Sequence, residues 1–151
     1  MSIQVEEFVP EAIGHFLFEL INDQGVVVES HEQTNRIVTT GKYLMLDRLF
    51  GLGAATALVG MSVGTLATAS ADADTAITGA VYKAFDATPV RTGLSVVAST
   101  TYAPSEANIA IREVGLLTGL GAVLYNHIAP TASVDKNSAL SLKVTVTISM
   151  P

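Results

Sequence analysis

The chain has 151 residues, of which 49% are hydrophobic, and it carries a formal net charge of −6 with neither cysteine nor tryptophan. Its length is typical of a single domain with a hydrophobic core of its own. The absence of cysteine excludes disulfides, thiolate metal ligands and thiol nucleophiles, and the negative charge argues against a nucleic-acid partner, because phosphate binding needs clustered Lys and Arg.

Residues 1–12 are predicted to form an extended acidic arm before one β-sandwich domain, residues 13–151. The arm has no base, and acidic residues stand where a secretory signal would carry a basic region and an apolar run. Such an arm can pair its backbone with a neighbour's sheet edge while burying alternate apolar side chains; the alternative is a frayed terminus. The first interpretation predicts a clamp between subunits formed by Ile3, Val5, Glu6, Glu7, Phe8 and Val9.

The next segments predict a β-hairpin. Residues 15–21 are mostly apolar and read as a strand, and residues 26–29 return as its partner. The turn between them, residues 22–25, ends in Gly25, where a positive φ costs little.

One amphipathic helix is predicted over residues 42–50. Thr40 and Gly41 precede it, and Gly51 stands where helices commonly end in a left-handed residue. Spacings of three and four place four large apolar residues on one face. The residues of this face, which we expect to be buried, are Tyr43, Leu46, Leu49 and Phe50.

The later elements are predicted to be strands. Residues 65–78, rich in Ala, Thr, Ser and Asp, interrupt them as a long surface loop. The last segment, residues 140–150, alternates strictly between apolar and polar side chains, which is typical of an antiparallel sheet with one buried face. The other predicted strands are residues 57–63, 80–85, 90–101, 108–117 (kinked near Gly115) and 122–128.

About eight strands and one short helix near residues 40–50 predict a mainly β fold, an antiparallel β-sandwich that is jelly-roll-like. The absence of a βαβ rhythm argues against an α/β fold. The residues expected in the core are Phe50, Val63, Leu116, Val144 and Ile148.

No pattern predicts a catalytic, cofactor or metal site. Asp72 and Asp74 lack the glycine and the bidentate glutamate of a calcium loop, so we interpret them as part of a solvated loop. The glycines of residues 51–56 follow a helix, whereas a dinucleotide-binding loop follows a strand. We therefore predict a protein that is not an enzyme and binds no cofactor or metal. No histidine lies at the spacing from another histidine that metal ligands usually have. The three histidines are His15, His31 and His127.

Arg112 and Glu113 are a charged pair inside an apolar strand. Adjacent strand residues point to opposite faces, so the two side chains do not pair with each other. One is expected at the surface, and the other needs a partner, since buried charges persist where they are paired. A structural pair that fixes the strand register and a contact between subunits both meet this need, which makes Arg112 and Glu113 candidate interface residues.

Between residues 35 and 150 the segments follow a characteristic order. An asparagine, apolar residues and a glycine precede a short helix; a strand and a loop of small residues follow; then come a Glu-hydrophobic-Gly-Leu element, a hairpin, a lysine and the final strand. These segments are residues 35–51, 59–65, 67–78, 112–117 and 121–128, then Lys136 and the alternating strand. In this order they resemble structural proteins of tailed-bacteriophage virions.

The resemblance implies a non-enzymatic virion structural protein, assembled in the host cytoplasm and located in the virion. It implies first a capsid decoration or cement protein that binds and stabilises the phage head shell. The alternatives are a tail-fibre, tail-tip or baseplate component and, more remotely, a carbohydrate-binding module, which the absence of tryptophan disfavours.

The expected partners are other copies of the chain and other virion proteins. The apolar surplus exceeds what one small domain readily hides, which favours a homo-oligomer, a dimer or trimer. The resemblance adds the phage major capsid protein or other virion proteins. Neither nucleic acid nor a membrane is expected, because the uncharged residues 49–71 are interrupted by glycine, serine and threonine.

Overall fold

The computed structural model describes residues 12–119, 124–128 and 132–151. Within this part of the chain the protein has twelve strands and one helix, so the prediction of a mainly β fold with one helix is confirmed. The elements are β1 (Ile13–Ile21), β2 (Val27–Thr34), β3 (Arg36–Ile37), α1 (Thr39–Phe50), β4 (Gly60–Gly64), β5 (Val81–Ala84), β6 (Val90–Thr92), β7 (Ser95–Tyr102), β8 (Ala110–Ile111), β9 (Glu113–Leu117), β10 (Asn126–His127), β11 (Val134–Asp135) and β12 (Ser141–Ser149).

The larger sheet has five antiparallel strands in the order β2-β1-β12-β7-β6. The last strand of the chain lies at its centre, paired with β1 on one side and β7 on the other. Leu142, Val144 and Val146 of this strand are buried, whereas Lys143 and Thr145 point to the more exposed face. The strict alternation of residues 140–150 therefore predicted both the strand and its buried face correctly. The predicted first hairpin, β1–β2, is also confirmed.

A second sheet has three antiparallel strands in the order β5-β4-β9. All residues of β4 and of β9 are buried. Two short pairs, β10 with β3 and β11 with β8, complete the sheets of the described residues. The predicted jelly-roll arrangement of about eight strands is not confirmed by this division into four sheets.

One hydrophobic core joins the two main sheets. Phe16 and Phe18 of β1 lie in it, stacked with ring centroids 6.3 Å apart. Met61 of β4 belongs to the same cluster. The buried Tyr102 hydroxyl of β7 lies 3.2 Å from the carbonyl oxygens of both Met61 and Val81, so it can donate a hydrogen bond to either strand of the second sheet.

Two of the predicted strands are interrupted. Residues 90–101 form two strands, β6 and β7, because the chain turns at Gly93, where φ is 59°. Residues 108–117 are divided at Arg112, whose amide donates to the carbonyl of Gly64, and not at Gly115. Gly115 lies inside β9, where an added Cβ would stand 2.6 Å from the Asn126 carbonyl oxygen. The lack of a side chain at this position therefore allows two backbone segments to approach closely, and it does not produce a kink.

Candidate functional site

An apolar groove of about 620 Å³ lies between α1 and the larger sheet. Leu44 and Leu49 line it from the helix, and Val96 and Ile148 line it from β7 and β12. Arg48 is the one charged side chain among the described residues that line it. Because apolar walls dominate and few polar groups converge, the groove suits apolar side chains better than a polar substrate.

The helix face that was predicted to be buried is exposed. The exposed fractions are 61% for Tyr43, 52% for Leu46, 77% for Leu49 and 73% for Phe50. The buried residues of α1 are instead Gly41 and Leu44. The predictions of a buried helix face and of Phe50 as a core residue were therefore wrong, whereas the predicted core residues Val63, Leu116 and Val144 are buried and Ile148 is partly buried.

The reason for the reversed helix is a backbone contact at its first turn. An added Cβ at Gly41 would overlap the carbonyl oxygen of Tyr125, so only glycine permits this approach. The Thr40 hydroxyl donates a hydrogen bond of 2.6 Å to the Leu124 carbonyl. These contacts orient the helix so that Leu44 points into the core. The helix face that was predicted to be buried therefore points outward.

Exposed apolar residues lie on the helix and on the opposite wall of the groove. Leu49 and Met150 both line the groove and are 77% and 47% exposed. The Met150 amide donates to the Leu94 carbonyl at 2.9 Å, which places the exposed Leu94 beside it. We name this surface the apolar face; it consists of Tyr43, Leu46, Leu49, Phe50, Leu94 and Met150.

A separate polar cluster surrounds Glu113, whose side chain is fully buried. Its Oε1 accepts hydrogen bonds from the Thr78 amide at 2.7 Å and the Leu66 amide at 3.1 Å. Its Oε2 lies 3.1 Å from Nε2 of His127. Glu113 thus holds both ends of the loop between β4 and β5, which has no helix or strand, as predicted for residues 65–78.

His127 links Glu113 to Asp74. Its Nδ1 lies 2.6 Å from Oδ2 of Asp74, which also accepts a hydrogen bond of 2.7 Å from the Ala71 amide. Burial by itself raises the pKa of Asp74, but the hydrogen bonds from Ala71 and His127 outweigh it and hold that pKa below its ordinary value. Each ring nitrogen of His127 therefore lies within hydrogen-bonding distance of one carboxylate.

The Glu113–His127–Asp74 arrangement resembles the orienting half of a catalytic triad, but its chemistry is structural. Both ring nitrogens of His127 face carboxylates, which leaves neither nitrogen to activate a nucleophile. The His127 side chain is 3% exposed, so a substrate would not reach it. The cluster therefore anchors a loop to the sheet.

The other predicted ligand candidates do not converge among the described residues. His15 pairs with Glu32 and His31 with Glu29, each on the β1–β2 hairpin. A hydrogen bond from Arg36 at 2.8 Å holds the pKa of Asp72 below its ordinary value. No group of three His, Asp or Glu side chains suited to a metal ion occurs in the part of the chain that the structure describes.

The predicted interface residues have three different outcomes. Arg112 is exposed, and its role at an interface stays a prediction. Glu113 is buried and bonded within its own chain, so the structural alternative describes it and the monomer presents no Glu113 surface to a partner. The arm residues lie outside the described residues, so the clamp stays a prediction. The residues concerned are Ile3, Val5, Glu6, Glu7, Phe8 and Val9.

Sequence reasoning missed the partner of Glu113. The polar pair Asn126-His127 inside the apolar residues 122–128 was an available signal, since buried polar residues need partners. Asn126 uses its Oδ1 to accept a hydrogen bond of 2.8 Å from the Leu116 amide. Asp74 carried no such signal, because it lies in a loop 53 residues away from His127.

Comparison with protein-family models, with curated proteins and with solved structures found no match. Among the described residues, α1 is the one helix, and it is too short and too polar to cross a membrane. The function must therefore be argued from the surfaces and the buried contacts of the chain itself.

Proposed function

We propose that the protein is a non-enzymatic structural protein of a bacteriophage virion, acting as a capsid decoration protein that binds and stabilises the head shell. The virion role is proposed from the order of segments that resembles virion structural proteins, and the observation of the structure that supports association is the apolar face. Contiguous apolar patches of large side chains on a monomer mark sites of protein association. On this interpretation Leu46 and Phe50, exposed in the monomer, become buried against other virion proteins or sister subunits.

The proposal includes a sandwich arrangement of the two main sheets. Phe16 and Val144 of the larger sheet and Met61 and Leu116 of the second sheet belong to one buried cluster, as facing sheets require.

The two sides of the larger sheet differ in the residues that they present. Residues of the inner side, Val96 and Ile148, line the groove beneath α1, whereas Lys143, Thr145 and Thr147 lie on the opposite side. The helix therefore covers the inner side. The opposite side exposes Val90 and Val97 as well as polar residues, so the proposal assigns shell binding to the helix side, where Leu46 and Phe50 are exposed.

The proposal is tested first by mass spectrometry of purified virions and then by reconstitution. The chain should be present in virions, should bind heads that lack it in a sedimentation assay, and should raise their melting temperature. Leu46→Asp with Phe50→Asp should abolish binding, while Val28→Asp, an equally exposed apolar residue on β2, should not. Absence from virions, or equal binding by both variants, would overturn the proposal. Labelling of tails but not heads by immunogold would replace it with the tail alternative.

A further inference from the structure

The apolar groove lies where the chain enters the described domain. Ala12 is one of the residues that line the groove. Ile13, the next residue, pairs with Ser149 at the beginning of β1. Residues 1–11 are therefore attached to the chain at a residue of the groove wall. Eleven extended residues span at most about 36–40 Å.

The composition of residues 1–11 matches this groove. In an extended segment alternate side chains share a face, which places Ile3, Val5, Glu7 and Val9 together. This face offers three apolar side chains and one acid. The groove offers apolar walls and one base, Arg48.

Arg48 is free to accept an acidic partner. Its Nη1 donates one hydrogen bond of 3.1 Å to the Ala55 carbonyl, and a guanidinium has five donors in all. No carboxylate of residues 12–119, 124–128 or 132–151 forms an ion pair with it. Residues 1–11 supply acids and no base, so their charge complements this position.

We propose that residues 1–11 fold back into the apolar groove of their own chain, with Ile3, Val5 and Val9 against its walls and Glu7 beside Arg48. Their own chain is favoured over a second copy because a directly attached segment has an effective concentration in the mM range. This arrangement differs from a clamp between subunits and does not depend on a role in a virion.

The closing experiment uses the absence of cysteine, which permits a single spin label at Gln4→Cys, on the face of the segment that points away from the groove. In a uniformly ¹⁵N-labelled chain, the label should broaden the amide signals of Leu49, Val96 and Met150. A mixture of spin-labelled ¹⁴N chains with unlabelled ¹⁵N chains should show no broadening at these residues. Broadening in the mixture, which indicates a sister subunit's segment, or no broadening in either sample would overturn the proposal.

Matched variants test the ion pair. Glu7→Gln should weaken the broadening from the Gln4→Cys label, and Arg48→Gln should weaken it similarly, whereas Glu6→Gln on the opposite face should leave it unchanged. Deletion of residues 1–11 should increase the fluorescence of the apolar dye ANS without loss of the β circular-dichroism signal. Equal ANS fluorescence in the folded deletion variant and the parent, or native mass spectrometry showing a small apolar ligand in the groove, would contradict the proposal.

Discussion

At the scale of single residues, Glu113 has the most demanding environment. Each of its oxygens has a partner, and those partners belong to the loop between β4 and β5 and to β10. A buried carboxylate is costly unless it is paired and hydrogen-bonded. The cluster of Glu113, His127 and Asp74 is therefore stable as a whole, and the loss of one member leaves the others unsatisfied.

Glu113→Ala should lower the free energy of unfolding by about 3–5 kcal/mol, because it leaves His127 and two amides without their partner. Urea denaturation followed by circular dichroism measures this loss. The control is Arg112→Ala at the neighbouring exposed position, which should change stability by less than about 0.5 kcal/mol. Similar losses in the two variants would contradict the role assigned to Glu113.

The depressed pKa of Asp74 predicts a loss of stability in acid. A carboxyl with a folded-state pKa below its ordinary value, 3.8, contributes stability that is present above that value. This contribution disappears as the pH falls through the folded-state pKa. The melting temperature should therefore fall more steeply below about pH 4 in the parent than in Asp74→Asn. Asp23→Asn, at an exposed turn, should retain the parent's profile.

At the scale of elements, the position of α1 depends on the contacts of its first turn with Leu124 and Tyr125. Alanine favours a helix over glycine by about 1 kcal/mol in an exposed interior. At Gly41 this gain is opposed by the overlap of a Cβ with the Tyr125 carbonyl. Since a carbonyl in a packed segment has little room to move, the overlap should dominate.

Gly41→Ala should consequently destabilise the protein by about 1–3 kcal/mol, the usual cost of overpacking, despite its better helix propensity. Thermal unfolding measured by circular dichroism is sufficient to detect this. Lys42→Ala at the next, exposed position serves as the control and should be nearly neutral. An increase in the melting temperature of Gly41→Ala would show that the helix can move away from Tyr125.

The core and the helix surface should respond differently to truncation. Leu116→Ala should cost about 2–5 kcal/mol, as for other large-to-small core changes, because Leu116 is buried between the sheets. Phe50→Ala removes a larger side chain but should cost far less in the monomer, since Phe50 is 73% exposed. Chemical denaturation of both variants compares the two losses. A larger loss for Phe50→Ala would mean that α1 packs with its other face inward.

At the scale of the whole molecule, the described surface includes the outer side of the larger sheet and the apolar face. The outer side carries Lys143 and Thr145 of β12 together with the exposed Val90 and Val97. Large exposed side chains on α1 and at Met150 form the second. Association through the second surface is the most direct way to remove it from water.

The protein should be a dimer or trimer in solution, because closed symmetric assembly buries such a surface efficiently. Light scattering should show a concentration-dependent mass, and Leu46→Asp with Phe50→Asp should give a monomer with unchanged β content. Val28→Asp should leave the mass unchanged. A monomeric parent at high micromolar concentration would contradict self-association.

The sequence by itself determined the elements whose signal is local. The alternation of residues 140–150 marked a strand and its buried face, and the turn at Gly25 marked the first hairpin, because strand periodicity and turn chemistry need only neighbouring residues. The same alternation could not reveal that this strand lies at the centre of the larger sheet, since strand order depends on segments far apart in the chain.

Only the tertiary structure decided the features that depend on distant contacts. The apolar spacing of α1 allowed two rotations, and the Tyr125 carbonyl against Gly41 selected the one that exposes Phe50. Whether Arg112 or Glu113 turned inward depended on His127 and on the amides of a distant loop. A side chain's face is a local property, but its burial depends on what the fold places opposite it, and here those partners lie tens of residues away.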